Sequence, residues 1–221
     1  MVMETTLSKQ EEWIAERLGK FTSSEIWRLM KSGKKRDELF GTGALTYIDE
    51  KIAEIITGEA KEHVSSKSLE WGKAHEYDAM LEFQNNFVID VEYFGGDNPS
   101  FFPFNSFSGC SPDGLTHDSI VEIKCPFVSS NHISNLKAAK SNHSNDWMLK
   151  EREEYFYQMQ FNMLCCNKDS GYFVSYDPRA IDIRHMIAVL VIKKDESVHE
   201  DIKHRLNEAC KIVSDSLKLI D

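Results

Sequence analysis

The sequence has few of the residues that staple a fold or grip a soft metal. Its five cysteines (Cys110, Cys125, Cys165, Cys166 and Cys210) are an odd set with no CxxC pair, which argues against a disulfide framework and against structural zinc. Eight histidines occur without an HxH or HExxH spacing. No stretch approaches the roughly 18 to 20 consecutive apolar residues that a membrane span requires. Met1 to Ser8 has no basic segment leading into an apolar run, so no secretory signal is visible. Internal repeats, low-complexity tracts and linkers are also missing. These absences predict a protein of a reduced, cytoplasmic setting with no membrane partner.

What is present is 221 residues with 41% apolar content, enough for a real core, arranged as one compact unit over residues 1–221. The net charge of −10 argues only weakly against a nucleic-acid partner, because the charge is a global sum and binding is local. A metal-dependent nuclease also carries carboxylates that count as negative until a cation joins them. Basic residues gather at Lys31, Lys34, Lys35 and Arg36, with others at Lys137 and Lys140; a solvated basic loop explains the first group equally well.

Apolar spacing predicts helices over 8–18, from Thr22 onward, over 44–57, 66–87, 131–140, 150–167 and 195–219. Thr22-x-x-Glu25 reads as a capping box. Strands are expected at 88–94, 101–107, 109–115, 119–125, 172–176 and 183–192. Helices around a group of strands make the fold class α/β.

The informative segment is Ser111-Pro112-Asp113-Gly114 followed by Glu122-Ile123-Lys124. Alternate residues of a strand share a face, so Glu122 and Lys124 point together while Ile123 turns into the core. Asp113, where a strand meets a turn, can bring its carboxylate opposite Glu122. Two converging carboxylates and the Ile123 backbone carbonyl make a hard oxygen site suited to Mg²⁺, with Mn²⁺ as a substitute. That is the site phosphodiester hydrolysis needs, with Lys124 orienting or deprotonating the water or balancing charge on the phosphate. A bare D…ExK spacing also occurs at many solvated strand edges, so its weight comes from the residues around it.

Those residues are Trp13-x-x-x-Arg17-x-Gly19 with Thr22-Ser23-Ser24-Glu25, and Trp71-Gly72-Lys73 with Glu76. They continue with Cys110 to Gly114, Glu122-x-Lys124-Cys125-Pro126-Phe127, Gln158-Met159-Gln160, Tyr172-Phe173 and Tyr176-Asp177-Pro178-Arg179. In this order they resemble the lambda-exonuclease or YqaJ-type viral recombinase family of PD-(D/E)XK nucleases. The resemblance implies a central mixed sheet flanked by helices, and a phage or prophage origin within a bacterial host. It implies a Mg²⁺-dependent exonuclease that works 5′ to 3′ on double-stranded DNA ends and leaves 3′ tails for recombination. A homotrimeric ring and a single-strand annealing partner follow from the same likeness.

Carried over by residue, Asp113 and Glu122 are the implied metal ligands, Lys124 the catalytic lysine and Gln158 an amide beside it. Glu76 is an implied helical acid at the site, second shell or second metal. Leu69, Gly72 and Glu76 share a helix face. Leu69 reads as an apolar wedge, though core packing is its more ordinary role, and Gly72 as a point of close backbone approach. Arg17, Ser24 and Ser111 correspond to a pocket for the 5′-terminal phosphate. Lys31 stands where the family's lambda member has arginine, which leaves its phosphate contact less specific. Gln160 reads as the polar face of a helix, and Cys125 as packing. The turn between Asp113 and Glu122 is one residue shorter than in that member, and the segment 129–154 is longer. A restriction-type endonuclease would have no use for a strand-end pocket, and a non-catalytic DNA-binding protein no use for an intact Asp113, Glu122 and Lys124 set.

Overall fold

A computed structural model describes residues 7–35, 37–60 and 65–220. Arg36 of the basic group, and the first six residues of the segment read for a secretory signal, lie outside them. The first part of the chain runs α1 (Lys9–Arg17), β1 (Phe21–Thr22), a 3-10 helix (Ser23–Arg28), α2 (Thr42–Thr57) and α3 (Lys67–Phe87). The strands β2 (Glu92–Tyr93), β3 (Phe102–Asn105), β4 (Ser108–Cys110), β5 (Gly114–Leu115) and β6 (Ser119–Lys124) follow. After them come α4 (Ser129–Ala138), α5 (Ser144–Glu151), α6 (Glu153–Cys166) and β7 (Ser170–Tyr176), then a 3-10 turn (Ile183–His185), β8 (Ile187–Lys193) and α7 (Glu196–Ile220). No helix among the described residues is long and apolar enough to cross a membrane.

Local chemistry sets several boundaries. Ser8 and Glu11 close a reciprocal capping box on α1, with the Ser8 N–H donating to Glu11 Oε2 at 2.8 Å. Ser66 caps α3 by accepting from the Leu69 N–H, and Gly58 ends α2 with φ +70°. Thr22 instead belongs to a strand. Its N–H donates to the Tyr47 hydroxyl at 3.3 Å and it caps nothing, so the helix expected there is only a six-residue 3-10 helix. The helix expected over 150–167 is two helices broken at Arg152, whose φ of −145° is far from helical, and α5 occupies part of the expected loop. Sequence could not show the break, because Met148, Phe156 and Met159 pack into one cluster across it.

The five-stranded sheet runs β2-β5-β6-β7-β8, with only β6 and β7 parallel. A smaller sheet, β1-β4-β3, stands beside it. On one face Ile120, Phe173, Leu190 and Ile192 pack against Phe156, Met159 and Met163 of α6. On the other, Val121, Ile123 and Val174 pack against Ala79, Met80 and Phe83 of α3. The strand expected over 109–115 is split between the two sheets. Pro112, which has no N–H to give a ladder, sits in the gap.

The loop between the first 3-10 helix and α2, which carries the basic residues, is pinned from α7. Arg205 donates to the carbonyls of Leu29 (3.0 Å) and Leu39 (2.8 Å) and to Ser32 Oγ (2.9 Å), with Asp201 behind it. Charge-assisted bonds of this kind contribute about 1.5 to 3 kcal/mol, and their loss strands buried carbonyls. Arg205→Ala is therefore expected to lower the free energy of unfolding in urea by about 2 to 4 kcal/mol. A change of less than about 0.5 kcal/mol, typical of a neutral surface site, would show that the loop is held by other contacts.

Candidate active site

Strand β6 has β7 along one whole edge, but β5 covers the other edge only as far as Val121. Beyond that point Asp113 takes the place of a strand. Its N–H donates to the Val121 carbonyl at 3.1 Å, and its Oδ2 accepts from the Ile123 N–H at 2.5 Å. N–H and C=O of one strand residue point to the same edge, so the Ile123 carbonyl also emerges on the Asp113 side. The spacing argument holds for the side chains: Lys124 Nζ donates to Glu122 Oε1 at 2.5 Å, and Ile123 is buried in the α3-facing core.

Glu122 is 1% exposed, and three donors converge on it. Besides Lys124, Gln158 Nε2 reaches Oε1 at 2.6 Å and Asn162 Nδ2 reaches Oε2 at 3.0 Å. Gln158 and Asn162 are four apart on α6 and so share the face turned to β6. Asn162 escaped the sequence reading; the signal was a polar residue one turn after Gln158 within an otherwise apolar run. Gln160 is not on a solvated face. It is fully buried and bonds the Lys193 carbonyl and the Asp195 N–H, joining β8 to α7.

Burial and the neighbouring Glu122 push the Asp113 carboxyl well above the usual carboxylate range. Burial also raises Glu122, against the opposing pull of Lys124. Burial alone would lower the Lys124 pKa, but the Glu122 and Asp113 carboxylates outweigh it and raise it well above the usual lysine value, which keeps it an ammonium. Its nitrogen also lies 5.1 Å from the centre of the Tyr155 ring. Beside it the Cys125 thiol is pushed up to about 12 by burial and by Glu76 and Asp113, which makes it a poor nucleophile.

An open cleft of about 1120 Å³ runs along this site between α3 and the α5–α6 junction. Leu69, Gly72 and Glu76 of α3 line it together, as their spacing predicted. Leu69 is 43% exposed rather than packed in the core. No backbone closes on Gly72, where a Cβ would meet nothing within 4 Å. Glu76 accepts from the Tyr93 hydroxyl at 2.9 Å, and a Cβ at Gly95 would strike both partners. Glycine at 95 is what lets that bond form.

The proposed strand-end residues are partly assembled. Arg17 Nη1 donates to Ser111 Oγ at 3.2 Å, Trp13 Nε1 donates to the same oxygen at 2.9 Å, and the guanidinium lies 4.2 Å over the Trp13 ring. No carboxylate among the described residues is ion-paired with Arg17, and burial lowers its pKa. Thr22 and Gly109 are partners in a parallel pair, so Ser24 and Ser111 each stand two residues beyond it. The Ser24 hydroxyl itself lies 3.3 Å from Thr22 Oγ1. Because its helix is a short 3-10 turn, the expected pull of a helix dipole on an anion is small. Lys31 is not held out as a free cation, since it forms an ion pair with Glu153 at the cleft rim.

Raised folded-state values mean that protons on Asp113 and Glu122 stabilise the fold. That contribution is complete below the ordinary carboxylate values near about pH 4 and is lost as pH rises through the raised ones. Without divalent cation, Asp113→Asn should therefore be more stable to heat than the wild type at about pH 8, the gap closing toward about pH 4. Equal melting temperatures across that range would show that the pair is not under strain.

The model of the YqaJ-like viral recombinase domain matches residues 12–169. No curated protein sequence matches the chain. Among solved structures, the alkaline exonuclease LHK-Exo of Laribacter hongkongensis is 25% identical with a TM-score of 0.76, covering 95% of both chains. Its complex with dAMP gives the same overlap at 26% identity. A phage-related exonuclease of Haemophilus somnus 129PT shares the fold at 15% identity, with a TM-score of 0.73 over 91% of this chain and 96% of its own. These neighbours have the PD-(D/E)XK architecture, a mixed sheet flanked by helices, and β6, the broken strand before it and α6 lie in the matched region. The chain belongs to the YqaJ-like viral recombinase family and is a nuclease of the lambda-exonuclease type.

Proposed function

We propose that residues 1–221 form one Mg²⁺-dependent exonuclease unit that degrades the 5′-ended strand of linear duplex DNA and leaves 3′ single-stranded tails. One observation carries the reading. Ser111, which holds Arg17, is two residues from Asp113, which reaches across to the catalytic strand. A grip on a terminal phosphate and a hydrolytic centre so close together suit removal of nucleotides from an end, and have little use at an internal site.

The donor set fits a divalent cation. Asp113, Glu122 and the Ile123 carbonyl are hard oxygen ligands; burial raises both carboxyls, and Glu122 raises Asp113 further. Among the described residues no group of three or more Asp, Glu, His or Cys side chains forms a metal cage, so water and substrate oxygens would complete the shell. These groups would hold Mg²⁺, or Mn²⁺ in its place, which would supply Lewis-acid activation of the phosphoryl oxygen and of water. Lys124, held as ammonium, orients the attacking water and offsets charge gathering on the phosphate. Gln158 and Asn162 fix the Glu122 carboxylate without adding charge. Glu76, held by Tyr93, stands as the second acid of the cleft, and Leu69 as an apolar contact for the terminal base pair. Arg17, Ser24 and Ser111 receive the 5′ phosphate, and Lys31 reaches the backbone once it exchanges Glu153 for DNA.

Digestion of duplex labelled at one end tests this directly. Wild type should release nucleotides from the 5′ end only with Mg²⁺. Asp113→Ala and Glu122→Ala should be inactive, and Lys124→Ala should lose about 3 to 4 kcal/mol of transition-state stabilisation, roughly 10²- to 10³-fold in rate. A 5′-phosphorylated end should be preferred to a 5′-hydroxyl end, and Arg17→Ala should shrink that preference about tenfold or more. Near-normal turnover in Asp113→Ala would place the site elsewhere; an unchanged end preference in Arg17→Ala would remove the pocket.

The family likeness supports a homotrimeric ring around the DNA, working with a single-strand annealing protein. A ring reconciles a net charge of −10 with DNA binding, since acidic residues can face outward. Light scattering should give three times the 25.4 kDa chain mass; a monomer at micromolar concentration would overturn the ring.

A further inference from the structure

The Tyr176-Asp177-Pro178-Arg179 segment at the end of β7 has no part in the chemistry above, yet one guanidinium there ties three elements of the cleft together. Arg179 forks onto Asp177, with Nε to Oδ1 at 2.7 Å and Nη2 to Oδ2 at 2.8 Å. The same group donates to the carbonyls of Phe127 at 3.0 Å and Pro126 at 3.1 Å. Its flat face lies 4.4 Å over the ring of Trp71 on α3, and that ring meets Phe127 edge-on at 6.1 Å. Pro126 and Phe127 are the first residues to leave the catalytic strand after Lys124 and Cys125. Trp71 is on the helix that carries Leu69, Gly72 and Glu76.

We propose that Arg179 is a positioning residue for the proposed nuclease reaction, setting the separation between the exit of the Lys124 strand and the cleft face of α3. The inference rests on the proposed function. Pro126 cannot donate to a ladder and β6 ends before it, so without Arg179 the carbonyls of Pro126 and Phe127 lose these partners. Lysine cannot replace it, because a single ammonium has no plane to stack on Trp71 and no fork for Asp177. Arg179 also borders a solvent-open cavity of about 890 Å³ that contains Arg184. That cavity gives a small cation access to the position.

The test compares Arg179→Lys, Arg179→Ala and, as a charge control, Arg184→Ala, whose side chain is exposed and paired only locally with Asp182. Steady-state digestion of duplex ends with Mg²⁺, thermal melting and salt dependence are measured for each. Misplacement of reacting groups by about an ångström can cost roughly a hundredfold. Both Arg179 variants should therefore lose about tenfold to a hundredfold in kcat with KM near that of the wild type. Arg184→Ala should keep kcat. Free guanidinium ion should restore part of the Arg179→Ala rate, and ethylammonium should not. A rise in KM with a shallower salt slope and unchanged kcat would make Arg179 a DNA contact and overturn the proposal. Loss of kcat that tracks loss of melting temperature, with no guanidinium rescue, would reduce it to fold stability and overturn it too. Intact kcat in both variants of an active enzyme defeats this inference alone, whereas an inactive wild type defeats the proposed function with it.

Discussion

Two carboxylates of like charge, Asp113 and Glu122, are held close together where water is scarce, and much of the surrounding structure answers that constraint. Burial raises both, and an uncompensated buried charge is among the costliest features a fold can contain. Glu122 is answered by three donors on its own face of the sheet, one from its strand and two from α6. Asp113 is answered by a backbone N–H that a longer β5 would otherwise have taken. The short β5, the polar residues on an apolar helix face and the exposed end of β6 are then one arrangement. Each supplies a hydrogen bond to a carboxylate that burial still raises above its ordinary range, the property on which the proposed cation site rests.

The break at Pro112 couples this centre to the strand-end residues. Were residues 109–115 one continuous strand, Ser111 and Asp113 would share a face and a sheet. Instead Ser111 follows a strand of the small sheet and meets Trp13 and Arg17 from α1, while Asp113 precedes a strand of the large sheet. Two sheets that both pack against α6 thus also meet within three residues of chain. A displacement of α1 would reach the Asp113 turn through the Trp13 and Arg17 bonds to Ser111 and then through two residues of backbone.

The site was legible from sequence where its geometry follows from strand period. Glu122 and Lys124 share a face because they are two apart, whereas Gln158 came only from the family resemblance. Asn162 was not legible, since an asparagine in an apolar helix has many ordinary explanations until its partner is known. The α5–α6 break hid for the opposite reason: the apolar pattern continues through it, and only the backbone at Arg152 departs. For Leu69 core packing, the usual fate of leucine, was the ordinary alternative to the wedge, and the exposed position on the cleft removes it. Thr22 shows tertiary pairing overriding a local signal. Its capping-box spacing is real, but a parallel partner at Gly109 claims its backbone.

Asp177 and Asp113 lie at the same end of the large sheet, on either side of β6, and show what separates a compensated buried carboxylate from an uncompensated one. Burial would raise Asp177 as it raises Asp113, but the Arg179 fork and a bond from Ser129 hold it down at about 2. Its charge is satisfied within the fold and it has no reason to draw in a further cation. Lys124, which acts on Asp113, is committed to Glu122 by a direct hydrogen bond, and Asp113 remains well above the ordinary range. A fold selected only for stability would have given Asp113 its own arginine or made it neutral. Asp113 is left short of a cationic partner of its own beside the lysine, while the Arg179 fork on Asp177 ties the end of β7 to the chain leaving β6.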